Sequence, residues 1–276
     1  MSEDVRRAAV GCPVVAVDRP VDGVAVVTLN RPGSLNAIDV ALIDGMMTAF
    51  TELAGDDGVT VVILTGAGRG FCSGADLAAL SAEIGADGAG LRSVSVVEWM
   101  RGVAQPVLAL NRLPQLTIAA VNGPAVGAGW GLAMGCDIRI AGPSASFCAT
   151  FVRMGLGPDY GLSRTLPDAV GRARALELLA TGRTVDSTEA QQLGLVLTVA
   201  DNPVDAATEL AATIATVPGR TIRALKSALG RSSNADIATV VNEIEATAQA
   251  ELFTHPDFLA GAADWFSRHG AGDATD

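Results

Sequence analysis

Hydrophobic positions along this chain fall into short β-branched runs, each broken by glycines where a strand would hand over to a helix. The run Val59 to Thr65 (VTVVILT) has no charged residue and reads as a strand buried on both faces. It leads directly into Gly66-Ala67-Gly68-Arg69-Gly70-Phe71-Cys72-Ser73-Gly74-Ala75-Asp76-Leu77. Thr117 to Val121 repeats the pattern, with a break at Asn122-Gly123-Pro124, then Gly127-Ala128-Gly129-Trp130-Gly131 and a short buried helix at Leu132-Ala133-Met134. Glycines crowded between a strand and a helix let backbone N–H groups come within bonding distance of a ligand, since no Cβ intervenes. Two such turns on neighbouring strands can aim their amides at one atom, so the pattern predicts a site for negative charge.

The rest of the pattern surrounds those turns. Val14 to Asp18 and Gly23 to Asn30 predict two strands with a turn at Pro20 to Gly23. Asp39 is placed to cap a helix reaching Phe50 or Leu53, in which Leu42, Ile43, Met46, Met47 and Phe50 recur at helical spacing. Residues 83–93 predict a loop, and Val94 to Arg112 a helix bent or interrupted at Pro106. Asp137 to Ala141 is a further strand, Ala145 to Gly157 is irregular, and Pro158-Asp159-Tyr160-Gly161 is a turn launching a helix. Helices at Arg172 to Ala180 and Ser187 to Leu193 precede a last strand, Leu195 to Val199. From Pro203 onward the periodicity is helical, over 203–216, 221–229, 235–252 and 257–268. The expected organisation is an α/β core over residues 1–200 and a helical region over 201–276, with residues 1–12 a loose leader.

Composition narrows the chemistry. With 276 residues, 49% hydrophobic and 4% aromatic, the core must be built from Ala, Val, Leu and Ile. A net charge of −11 excludes the basic face that a nucleic-acid binder needs. Lys226 is the single lysine among nineteen basic residues, which removes a P-loop and leaves one poor candidate for Schiff-base chemistry. Cys12, Cys72, Cys136 and Cys148 have no C-x-x-C spacing, and His255 and His269 lie near the C-terminus, so neither a metal site nor a disulfide framework is expected. The leader MSEDVRRAAVG has no apolar stretch and no run reaches membrane-spanning length, which predicts a soluble, cytoplasmic protein with no membrane partner. Gly127-x-Gly129-x-Gly131 and Gly66-x-Gly68-x-Gly70 both lack the final glycine of a dinucleotide fingerprint, and no G-x-S-x-G occurs.

Four segments taken together are distinctive. They are Leu29-Asn30-Arg31-Pro32-Gly33-Ser34-Leu35-Asn36-Ala37, then Gly70 to Leu77, then Ala119 to Gly129, then Cys136-Asp137-Ile138-Arg139-Ile140-Ala141. In order and spacing the chain resembles the enoyl-CoA hydratase/isomerase (crotonase) superfamily, and the resemblance continues through Gly155 to Pro167 and Ala175 to Val196. It implies an α/β fold of repeated ββα units in a spiral, a C-terminal helical oligomerisation region, and a homotrimer or dimer of trimers. It also implies an acyl-CoA substrate, with coenzyme A present as the thioester and no resident cofactor. By motif, the N–H groups of Ala75 and Ala128 would hold the thioester oxygen as it becomes an enolate. Arg31, Leu35, Ala37, Ala75, Asp76 and Leu77 would lie along the coenzyme A body, and Arg268 would supply charge to its nucleotide end. Asp76 is expected to fix its turn and cap the following helix.

The chain departs from the family at its acids. Hydratases of this family position water with two glutamates, and the matching positions are Gly131 and the neighbourhood of Phe151. Asp159 is the remaining carboxylate candidate, at a position where some isomerases of the superfamily place a catalytic aspartate. It has two readings, a proton shuttle and a helix cap. Tyr160 and Trp130 are candidates for the acyl pocket, with core packing the alternative for Trp130. Three functions stay open: an isomerase working through Asp159, a non-catalytic acyl-CoA binder, and a hydratase with an atypical acid–base group.

Overall fold

The computed structural model describes residues 13–79 and 95–269, so the 1–12 leader and the 83–93 loop lie outside the described residues. The chain opens with an antiparallel pair, β1 (Val15–Val21) and β2 (Val24–Leu29). β1 runs past the expected turn at Pro20, which an edge strand tolerates because no neighbour needs its N–H. Helix α1 (Val40–Ala54) starts where expected, with the Asp39 carboxylate accepting from Leu42 N at 2.8 Å. β3 (Val61–Gly66) follows and is buried along its whole length. The expected long helix is two, α2 (Val96–Val103) and α3 (Gln105–Asn111), parted at Ala104. Pro106 sits in the first turn of α3, where the lost N–H is not needed, so the break falls just before it.

β4 (Leu116–Val121), β5 (Pro124–Val126) and α4 (Ala128–Gly135) form the central unit. β6 (Ile138–Ala141) and β7 (Ser146–Cys148) come next, then a 3-10 helix at Thr150–Met154, so the stretch expected to be irregular is ordered. Helices α5 (Leu162–Val170) and α6 (Arg172–Thr181) lead to β8 (Thr184–Asp186), α7 (Ser187–Gln192) and β9 (Thr198–Val199). The C-terminal part is α8 (Pro203–Ala215) and α9 (Gly219–Ser232), then a helical turn, Ile237–Thr239, that passes through a π-helical stretch, Val240–Glu245, into α10 (Ala246–Phe253) and α11 (Pro256–His269).

The strands sort into two layers. The large sheet has the order β1-β2-β3-β4-β6-β9, parallel from β2 onward, and the small one is β5-β7-β8. Isolated bridges Ile38–Ala75 and Cys72–Ala125 extend the small layer. From β4 and again from β6, the chain therefore lays one strand in each layer and turns into a helix, the spiral of ββα units that the resemblance implies. Alternation along β2, β3 and β4 sends Val27, Leu64 and Ala119 to one core with α1, and Val26, Ile63 and Ile118 to another. The second core is closed by Ala207 and Ala211 of α8, so the first helix beyond residue 200 seals the sheet.

Two side-chain amides, one buried and one half-buried, stitch the turns together. Asn36 is fully buried, with Nδ2 donating to the carbonyls of Ala67, Gly70 and Phe71 and Oδ1 accepting from Arg31 N at 2.8 Å. Asn122 Nδ2 likewise donates to the carbonyls of Gly66 and Gly68. Because each buried group left unsatisfied costs about 1–3 kcal/mol, Asn36→Ala should lower unfolding stability by several kcal/mol in a denaturant titration. Asn36→Asp, which sets a carboxylate against those carbonyls, should be worse.

Candidate functional site

The first turn presents its amide through a β-bridge. Ile38 N donates to Gly74 O at 2.7 Å, and Asp76 N donates to Ile38 O at 2.9 Å. A parallel bridge of this kind uses the groups on either side of Ala75 and turns Ala75's own N–H away from Ile38. Gly74 has φ +88°, and a Cβ on it would lie 2.7 Å from Val126 O and 3.5 Å from Ala128 N, so only glycine lets the two turns meet. Ala128 is the first residue of α4, where an amide has no partner within its helix. Neither amide donates a hydrogen bond to another group among the described residues. Both residues line one cavity of about 210 Å³.

The alternating glycines of the central stretch serve a different purpose from the one their spacing suggests. A Cβ at Gly129 would lie 2.1 Å from Cys72 O, and one at Gly131 would lie 2.3 Å from Tyr160 Cβ. The space they leave is filled by protein, and only Gly127 and Ala128 of this run reach the cavity. At Gly131, Tyr160 occupies the room a side chain would need. Phe151 is buried and lines the cavity.

Asp159 also lines the cavity. Its Oδ1 is buried and has no hydrogen-bond partner among the described residues, and burial raises its pKa to about 6. The cap reading fails: Gly161 occupies the N-cap of α5, and there is no side-chain cap, so only the Asp159 backbone carbonyl is used, accepting from Leu162 N at 3.0 Å. Tyr160 lines the cavity as expected, whereas Trp130 is fully buried in the core against Phe147, ring centroids 5.9 Å apart.

Arg31 is engaged by protein. Its guanidinium donates to Ala37 O, and pairs with Asp39 at 3.0 Å and Asp76 at 3.1 Å. Two carboxylates thus surround the cation expected to meet pyrophosphate, and the cluster pins the Arg31–Ala37 segment to the Ala75 turn. Asp76 accepts from Ala78 N and Ala79 N, both at 3.2 Å, and these amides with Arg31 hold its pKa down, so it fixes its turn as expected. Leu77 is exposed on the cavity, whereas Leu35 and Ala37 are not part of its lining: Ala37 is buried, and Leu35 O accepts from Ser73 N. Arg268 falls in α11, and its side chain lies outside the described residues. Lys226 pairs with Asp137 at 2.7 Å and is remote from the cavity lining. Cys72, Cys136 and Cys148 are buried free thiols, and burial pushes Cys72 and Cys136 up to about 12, too high for nucleophiles. Among the described residues, no cluster of His, Cys, Asp or Glu could hold a metal ion, and no helix is long and apolar enough to cross a membrane.

One wall was missed from the sequence. Trp99, Met100 and Val103 of α2 line the cavity together with Met154 and Leu156. The signal was present, since Val96, Trp99, Met100 and Val103 recur at i, i+3, i+4 and i+7, one stripe of a helix.

Residues 20–269 match the family model described as enoyl-CoA hydratase/isomerase. A relative from Mycobacterium leprae (strain TN), described as a probable enoyl-CoA hydratase, is 38% identical over 243 residues, 87% of this chain and 82% of its own. The crystal structure of an enoyl-CoA hydratase from Bacillus anthracis superposes with a TM-score of 0.85 at 31% identity, covering 92% of this chain and 96% of the other. A structure described as a monofunctional enoyl CoA isomerase from M. smegmatis superposes with a TM-score of 0.69 at 37% identity, over 84% of this chain and 99% of that one. A match over nearly the whole length, with the spiral and its two facing turns in place, makes this chain a member of the enoyl-CoA hydratase/isomerase family.

Proposed function

We propose that the protein is an acyl-CoA isomerase in which Asp159 moves a proton between carbons of the acyl chain while the amides of Ala75 and Ala128 hold the thioester oxygen. The observation that carries this reading is the half-buried Asp159 carboxylate, its Oδ1 without a partner among the described residues, in a cavity that Ala75 and Ala128 also line. Asp39 and Asp76 also line the cavity, but both are paired with Arg31. Asp159 is left as the one cavity carboxylate without a cation beside it among the described residues.

The chemistry follows from charge placement. The Asp159 carboxylate removes a proton from a carbon in conjugation with the thioester, and the electron pair moves onto the thioester oxygen. Two preorganised amides meet that developing charge, each donor contributing about 3 kcal/mol to transition-state stabilisation. The resulting carboxylic acid returns the proton to another carbon and the double bond has moved. A base with a pKa near 6 is mostly ionised at neutral pH yet still holds a proton well enough to give it back. The apolar lining from Phe151, Met154, Leu156 and Trp99 suits a hydrocarbon chain and supplies no group to activate water.

The test is incubation in heavy water with a panel of 2-enoyl-, 3-enoyl- and saturated acyl-CoAs, following product mass and deuterium uptake. Double-bond migration, or deuterium entering the chain without hydration, is expected. Addition of water would make the protein a hydratase, and saturable binding with no change in mass or bond position would make it a binding protein. Asp159→Asn should lower turnover by about 10²-fold to 10⁴-fold while acyl-CoA affinity, read by calorimetry, changes little.

The pH dependence has two signs. Because the base must be ionised, kcat should climb about tenfold per pH unit below about 6 and level above it. Stability runs the opposite way, since the folded-state pKa lies above the unfolded value of about 4. This contribution is full below pH about 4 and is lost as pH rises through about 6. Asp159→Asn should therefore raise Tm relative to the parent at pH 8, with the gap closing at pH 4.

A further inference from the structure

Tyr160 stands at the junction of three features. It is buried, its backbone is left-handed at φ +49°, and its Cβ fills the space over Gly131. A left-handed tyrosine is strained, and such a conformation persists where the surroundings enforce it. Its hydroxyl reaches across the cavity and donates to the backbone carbonyl of Val103, the last residue of α2.

The wall it reaches is thinly held. α2 contributes Trp99, Met100 and Val103 to the cavity, yet none of its residues is fully buried, and Ala104 parts it from α3. Apolar burial, which fixes α1 and α4 in the core, contributes little here. A hydrogen bond to a backbone carbonyl from a residue whose Cβ and backbone pack against Gly131 is a defined tether in its place. We propose that Tyr160 is a positioning residue that pins α2 through the Val103 carbonyl and so sets the length and bulk of acyl chain the cavity accepts. The chain-length part rests on the acyl-CoA reading above, whereas the tether does not.

Tyr160→Phe removes the hydroxyl and keeps the ring and the Cβ that packs over Gly131. Hydrogen exchange read by mass spectrometry should show the amides of residues 96–103 exchanging at least fivefold faster, with 116–121 and 162–170 unchanged. Calorimetric Kd values for butyryl-, octanoyl- and dodecanoyl-CoA should shift at least threefold toward the longer chain relative to the parent. Unchanged exchange over 96–103 overturns the tether, and faster exchange that extends to 116–121 overturns it in favour of general destabilisation. Faster exchange with an unaltered ratio of Kd values overturns the role in chain selection. If the parent binds none of the three thioesters, the acyl-CoA reading and chain selection both fall, and the exchange measurement alone decides whether the hydroxyl holds α2.

Discussion

The site depends on how closely two backbone segments can approach. Phe71 N and Cys72 N both donate to Pro124 O, and Val126 N donates to Cys72 O at 2.9 Å, so the two glycine turns are zipped together. The zip closes because the Cys72 carbonyl lies where a side chain on residue 129 would be. With it closed, the amides of Ala75 and Ala128 share one cavity, fixed by hydrogen bonds that precede any ligand.

Around this zip the protein places its costs unevenly. Arg31, Asp39, Asp76 and Asn36 form a satisfied polar network beside the first turn, where every bond supports the backbone. Asp159 and Tyr160 are the opposite, a carboxylate oxygen without a partner next to a tyrosine in a disfavoured conformation. Strain and desolvation are thus gathered at one corner of the cavity, inside an otherwise consistent fold.

Much of this was legible in the sequence, for reasons that differ by element. β3 and β4 were readable because strands covered on both faces are apolar throughout. The Asp39 cap and α1 followed from local chemistry. β5, β7 and β8 were not readable, since three residues hold no period and their pairing is decided by the layer they join. Ala75 and Ala128 came from motif, because a backbone donor leaves no trace in side-chain identity. The engagement of Arg31 and the filling of the space over Gly129 and Gly131 depend on contacts distant in sequence, which spacing does not encode. Asp159 could be named but its two readings could not be parted, because the choice rests on which residue takes the N-cap of α5.

The packing of Tyr160 over Gly131 also bears on how such a chain can change its chemistry over evolutionary time. A glutamate at position 131 would meet the Tyr160 Cβ at 2.3 Å and its carbonyl at 2.9 Å, so the substitution that a hydratase would need is blocked until the segment around Tyr160 moves. Asp159 precedes Tyr160 in the chain, so moving that segment also moves the Asp159 carboxylate. A glycine and a tyrosine twenty-nine positions apart in sequence are therefore coupled, since a side chain at 131 requires a change at 160.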